Sequence, residues 1–209
     1  MNLHIIPTVG DLSLLTRAVK SANDCGVWPT LINNGPDPII IPGVGEVIRP
    51  PVPLDWAQSM NLGVLATQSH GGQVMIYQHD DIILRPEVHT AMWKKHDEVK
   101  DTRWATIVNY SWQYVIFNLA AFDEIGLFDT NFPNRIYHAD VDWSYRARVA
   151  GFVEHSVHMP LEHLNGGSNA KNRMNEDAFH MTFLANEDYY RLKWGGGIGE
   201  ETYKTPFNS

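Results

Sequence analysis

Leu3 to Pro7 is a short, mostly apolar run closed by Thr8 and Gly10, the pattern of a buried strand. After Asp11, the residues Leu12, Leu15, Val19 and Ala22 recur at three- to four-residue spacing. That spacing predicts an amphipathic helix with Asp11 as N-cap and Gly26 as its left-handed stop. Trp28 to Ile32 predicts a second strand entering the turn Asn33-Asn34-Gly35. A Pro/Gly-rich passage follows, with short extended pieces near Ile39 and Val47, and Pro53 suits the first turn of a helix reaching Leu65.

Val74 to Tyr77 reads as a strand that runs directly into His79-Asp80-Asp81, and Pro86-Glu87 opens a helix to about Lys100. Ala105 to Val108 and Tyr114 to Asn118 predict strands, and Phe122 to Ile125 a short helix. Ala139 to Ala150 predicts a helix closed by Gly151, Phe152 to Val157 a strand, and Asn175 to Trp194 a last helix. Gly195-Gly196-Gly197 then releases a polar tail, and no internal repeat or linker divides the chain. The order is βαβ-like in the first half and mixed in the second, which predicts an α/β domain with a doubly wound sheet and an antiparallel addition.

The 209 residues suffice for one large domain with a full core. A single cysteine, Cys25, excludes an internal disulfide and a thiolate metal cluster, so any metal must use oxygen or nitrogen ligands. The net charge of −8 argues against broad attraction to nucleic acid or anionic membranes. With no apolar run long enough to span a bilayer and no basic-then-apolar leader, the expected location is the cytoplasm, a host's if the chain is phage-encoded.

Adjacent carboxylates at Asp80 and Asp81 repel unless a cation or solvent relieves them. The pair either caps a turn or holds Mn2+ or Mg2+ against a diphosphate, at the strand edge where open α/β sheets bind ligands. Asp140 and Asp142 open a predicted helix, where a carboxylate caps free N–H groups or, facing a cleft, accepts a proton. His155 and His158 alternate across a strand and are poor co-ligands, whereas His163, in a loop after Pro160, is the candidate third ligand to a carboxylate-bound metal. Of the aromatic set Trp104, Tyr110, Trp112, Tyr114 and Trp143, only Trp112 sits in a polar stretch suited to a sugar face.

Taken in order, these pieces resemble the inverting GT-A glycosyltransferases of the large bacterial and phage group. Ile5-Ile6-Pro7-Thr8 is similar to the opening strand, Leu31 to Gly35 to the Asp-Asn-Gly turn with Asn33 in the Asp position, and Asn61-Leu62-Gly63 to the nucleotide-facing helix. Val74 to Asp81 resembles the strand entering the DXD metal motif, without its first acid. Phe117 to Asp129 resembles the segment ending Ile-Gly-x-Phe-Asp. His138 to Arg146 is similar to the Glu-Asp-x-Asp-x-x-x-Arg base motif with Ala139 for Glu, followed by a late His163 with Ser168 and a closing Tyr190 to Trp194.

The resemblance implies a Rossmann-like GT-A domain over residues 1–194, a nucleotide-sugar half to about 85, an acceptor half beyond it, and a tail from 195 to 209. It implies Pro7, Thr8, Asn33, Asn61 and Asp80 at the nucleotide, Asp81 and His163 at the metal, Asp140 as base, and Trp112, Asp142 and Trp143 at the acceptor. The donor implied is a nucleoside-diphosphate sugar, with uridine the expected base, and the acceptor a hydroxyl of a glycan, a protein or a hydroxymethylated DNA base. A sugar-nucleotide nucleotidyltransferase is the competing enzyme class, and a non-catalytic carbohydrate- or nucleotide-binding protein the competing non-enzyme.

Overall fold

The computed structural model describes residues 1–109, 112–133, 137–164 and 176–209, the side chains of 176–179 excepted. Tyr110, Ser168 and Asn175, which figure in the expectations above, lie outside these. The first half alternates strand and helix: β1 (Leu3–Thr8), α1 (Leu12–Asp24), β2 (Thr30–Asn33), β3 (Glu46–Ile48), α2 (Trp56–Ser69) and β4 (Val74–Gln78). Then come β5 (Ile82–Ile83), α3 (Pro86–Val99), β6 (Trp104–Asn109), β7 (Tyr114–Asn118), α4 (Leu119–Ile125) and α5 (Ala139–Val149). The described chain ends with β8 (Val153–Val157), β9 (Glu162–His163), α6 (Glu176–Trp194) and a 3-10 turn at Pro206–Asn208.

Seven strands form one sheet in the order β3-β2-β1-β4-β7-β6-β8. All run parallel except β7, which is antiparallel to both β4 and β6. β7 is thus the expected antiparallel addition. On one face, Ile5, Met75, Tyr77 and Phe117 pack with Met60 and Val64 of α2, Phe122 of α4 and Trp143 of α5. On the other, Ile76, Ile107 and Ile116 meet Val88 and Met92 of α3, and Ile6 and Leu31 meet Leu15 and Val19 of α1. Parallel strands covered on both faces need apolar residues at successive positions, and β1, β2 and β4 supply them.

Asp11 caps α1 by accepting from the N–H groups of Ser13 and Leu14, as its position predicts. The second helix begins later than Pro53 suggests, because Asp55 and Gln58 form a reciprocal capping box that fixes its start at Trp56. Within it, a Cβ on Gly63 would stand 3.1 Å from Ile5 Cγ1 and from Met75 Sδ, so the glycine lets α2 approach the sheet closely. Nor is the tail released. Thr202 and Tyr203 donate N–H bonds to the Trp194 carbonyl, Tyr145 Oη–H donates to the Tyr203 carbonyl at 2.7 Å, and Tyr190 Oη–H donates to Glu201. Gly195, at φ +70°, turns the chain back toward α5. Among the described residues no helix is long and apolar enough to cross a membrane.

Candidate metal centre and cleft

The C-terminal edge of β4 delivers Gln78, His79, Asp80 and Asp81 in succession. A two-stranded ribbon then pairs β5 antiparallel to β9, placing Ile82 opposite His163, and Leu164 N–H donates to the Asp81 carbonyl at 2.8 Å. These backbone bonds hold residues 81 and 163 side by side. His163 Nε2 lies 3.0 Å from Asp81 Oδ2, and His79 Nδ1 lies 3.5 Å from Asp81 Oδ1. One ligand atom each from His79, Asp81 and His163 falls within 4.8 Å of the others.

Asp81 is buried, and its Oδ1 has no hydrogen-bond partner. A buried carboxylate oxygen left unpaired is costly unless a cation takes it, so the donor set fits a divalent ion. Burial by itself would raise the Asp81 pKa, but His79 first and His163 next outweigh it and hold the carboxyl below its ordinary value. Gln113 Nε2 stands 3.1 Å from His163 Nδ1. Because an amide can present either its N–H or its oxygen, Gln113 can orient the ring in the tautomer that leaves Nε2 free for a metal. Gln113 has no motif around it to single it out, and His79 stands beside the more obvious acid pair Asp80-Asp81.

Asp80 turns the other way. Its Oδ2 accepts from Thr8 Oγ1–H at 2.7 Å, and Gly10 N–H donates to the same hydroxyl at 3.1 Å, so the ends of β1 and β4 are joined. Burial pushes the Asp80 pKa up. Asp140 stands in the first turn of α5, partly buried, its pKa raised by burial against the pull of nearby backbone N–H groups and of His79. The charges of Asp80, Asp81 and Asp140 all bear on the Tyr77 phenol, which burial chiefly raises. From the imidazoles an aromatic track leads through Tyr77, 5.4 Å from the His79 ring, to Trp56 and on to the half-buried Trp112 at 6.3 Å.

Other expected site residues spend their polar atoms within the chain. Asn33 accepts from Gly35 N–H and donates to the Asp37 carbonyl, which shapes the turn after β2. Asn61 makes a reciprocal pair with the backbone of Phe128, at 2.8 and 2.9 Å. Pro7 lies partly buried in β1, paired in register with Ile32.

The acceptor-wall expectation meets a different arrangement at Asp142 and Trp143, both wholly buried. Asp142 receives Arg146 Nε at 3.0 Å, Trp194 Nε1 at 2.9 Å and Lys193 Nζ at 2.6 Å. Trp143 packs 4.5 Å from the Phe122 ring. Neither side chain offers a surface to an acceptor. The two residues before α5, Tyr137 and His138, are both left-handed at φ 69° and 70°, a strained entry to the helix.

This mixed α/β arrangement, a mostly parallel seven-stranded sheet with helices on both faces, matches the fold of solved nucleotide-diphospho-sugar transferases. Among solved structures the chain is similar to residues 1–349 of TarS from S. aureus, with a TM-score of 0.54 and 12% identity over 75% of this chain and 58% of that one. It is also similar to a nucleotide-diphospho-sugar transferase from Desulfovibrio desulfuricans, with a TM-score of 0.51 and 10% identity over 90% and 99%. A cytidylyltransferase from Leptospira borgpetersenii gives 0.51 and 11% over 78% and 77%. At such identities the likeness is one of fold. No family model matches the sequence, and no curated protein matches it.

Proposed function

We propose that this chain is a metal-dependent, inverting glycosyltransferase that moves a sugar from a nucleoside-diphosphate sugar, uridine being the expected base, to a hydroxyl acceptor. The observation that carries the reading is the Asp81 carboxylate, buried between the imidazoles of His79 and His163, with its Oδ1 free of a hydrogen bond and 3.5 Å from His79 Nδ1. Asp81 and His163, joined by His79, hold the divalent ion, Mn2+ or Mg2+, and Gln113 steadies His163. Such an ion neutralises the charge that gathers on a departing diphosphate.

The rest is work for the chain's own groups. Thr8 and Asp80 form the floor at the nucleoside side, with Pro7 beside them and the turn shaped by Asn33 next to it. Asn61 supports that side from α2 through its bonds to Phe128. Trp112 gives the acceptor an aromatic wall. Asp140 removes the proton of the acceptor hydroxyl as its oxygen bonds to the anomeric carbon and the bond to the diphosphate breaks on the opposite face. Burial, which raises its pKa, makes Asp140 a stronger base than an exposed aspartate. The acceptor is a hydroxyl of a glycan, protein or hydroxymethylated DNA base, and the charge of −8 weighs against DNA.

Mass spectrometry of the protein incubated with a panel of sugar nucleotides, with Mn2+ and with EDTA, tests the reading. Donor consumption should vanish in chelator, and Asp140→Asn should fold and bind nucleotide while transfer falls about 10²–10⁴-fold. Full turnover in EDTA, or a product that keeps the donor's anomeric configuration, would overturn it. A nucleotidyltransferase is the second reading, favoured by the cytidylyltransferase among the structural neighbours. Against it, the β1–α1 turn Val9-Gly10-Asp11 has no basic residue to hold a triphosphate, and Asp11 is committed to capping. Pyrophosphate release from CTP and a sugar phosphate would select that reading instead.

A further inference from the structure

A cavity of about 640 Å³ opens at the opposite end of the sheet from Asp81. It is lined by the starts of β1, β2 and β3 (Leu3, His4, Thr30 and Glu46), together with Trp28 after α1 and Trp93 and His89 of α3. Its volume is within the ~300–1,000 Å³ usual for small-molecule sites. Trp28 is 65% exposed, so an indole of large apolar area stands in solvent at the rim. Trp93 is half-buried, on the α3 side of the same space.

The polar groups of the wall have a definite sense. Gln78 Nε2 donates to the Ala18 carbonyl at 3.3 Å, which leaves Gln78 Oε1 to accept from His4 Nε2–H at 2.8 Å. His4 is 4% exposed, and burial lowers its pKa to about 3, so the ring is neutral, and its partnerless Nδ1 is itself buried. His89 Nδ1 meets Tyr114 Oη at 2.7 Å, and burial also lowers the pKa of that ring. No Lys or Arg side chain lines the cavity. Its formal charges are the Glu46 carboxylate and the Met1 amino group, the latter donating to the His70 carbonyl.

Acceptors and neutral imidazoles without a cationic side chain disfavour an anion and favour a ligand rich in O–H donors, while indole faces favour a ring with an apolar C–H side. We propose that this cavity is a second ligand site that takes a neutral saccharide, stacked on Trp28 and hydrogen-bonded to His89 and Glu46. The site needs neither metal nor nucleotide, so it stands or falls apart from the transferase reading.

The test is an NMR titration of the indole N–H resonances in EDTA, with cellobiose, N,N′-diacetylchitobiose and methyl α-mannoside as probes, and with inorganic phosphate and cyclohexanol as controls. One saccharide should give saturable shifts at Trp28 and Trp93 with millimolar affinity. Trp28→Ala, at an exposed position, should keep the melting temperature and weaken that binding at least about tenfold. Trp28→Leu serves as a second variant should the alanine protein fold poorly. No saturable shift from any saccharide up to ~100 mM, unchanged affinity in the variant, or tighter binding of phosphate or cyclohexanol at these resonances would overturn the proposal.

Discussion

The donor set around Asp81 offers two imidazole nitrogens for one carboxylate oxygen. Mg2+ prefers oxygen ligands, whereas imidazole suits ions further along the transition series, so Mn2+ should bind more tightly than Mg2+. In calorimetric titrations Mn2+ affinity should fall about tenfold or more in His79→Ala and His163→Ala alike. Histidines that merely pack would instead lower the melting temperature and leave the metal isotherm unmoved. A second consequence concerns pH. Asp140 must be ionised to accept a proton, and burial raises its pKa, so transfer should fall as pH drops at values above those of an exposed aspartate. That acid limb should disappear from the residual rate of Asp140→Asn, and an unchanged limb would assign it to another group. At this scale the sequence showed which acids stood at element ends, because His79-Asp80-Asp81 and Asp140 adjoin turns and caps. It did not show their directions. Asn33, Asn61 and Asp142 occupy motif positions as naturally as Thr8 does, and only the folded chain tells an amide aimed at a ligand from one that closes a backbone turn.

Helix α5 is set by the contacts of its buried side. Asp142 ties it to Arg146 within the helix and to Lys193 and Trp194 of α6, while Arg146 also donates to the carbonyls of Ile125, the last residue of α4, and of Leu127. Removing one charge of a buried pair strands the others, so Asp142→Asn should cost about 3–5 kcal/mol in urea unfolding. Metal affinity of the folded fraction should stay unchanged, because Asp81 and His163 sit on the β5–β9 ribbon. A variant that unfolds like the parent and loses only acceptor affinity would place Asp142 at the acceptor after all. Long periodic elements such as α1 and the apolar strands β1 and β4 were legible from spacing and caps. The ribbon that brings Asp81 and His163 together was not, since two-residue strands have no period and their pairing is between residues 81 positions apart, from Ile82 to His163.

Across the whole molecule, the segment after Gly195 braces α5 and α6 rather than trailing from them. Cutting the chain before Gly195 removes the partners of Tyr145 and Tyr190 and the Glu201 contact of Arg148. At roughly 1–3 kcal/mol for a buried hydroxyl left unpaired, the truncated protein should melt several degrees lower in calorimetry. An unchanged melting point would mean that the brace adds no stability. Fold class was readable because alternating strands and helices admit few arrangements, but strand order was not, since β7 enters between β4 and β6 through contacts distant in sequence. That insertion bears on how the protein is made. While β4 has emerged from the ribosome and residues 114–118 have not, β4 has β1 to pair with on one side and an open edge on the other. During that interval an apolar strand edge is open to other nascent chains, so slow elongation then would prolong its exposure, and a chaperone that shields β4 would raise the yield of native protein.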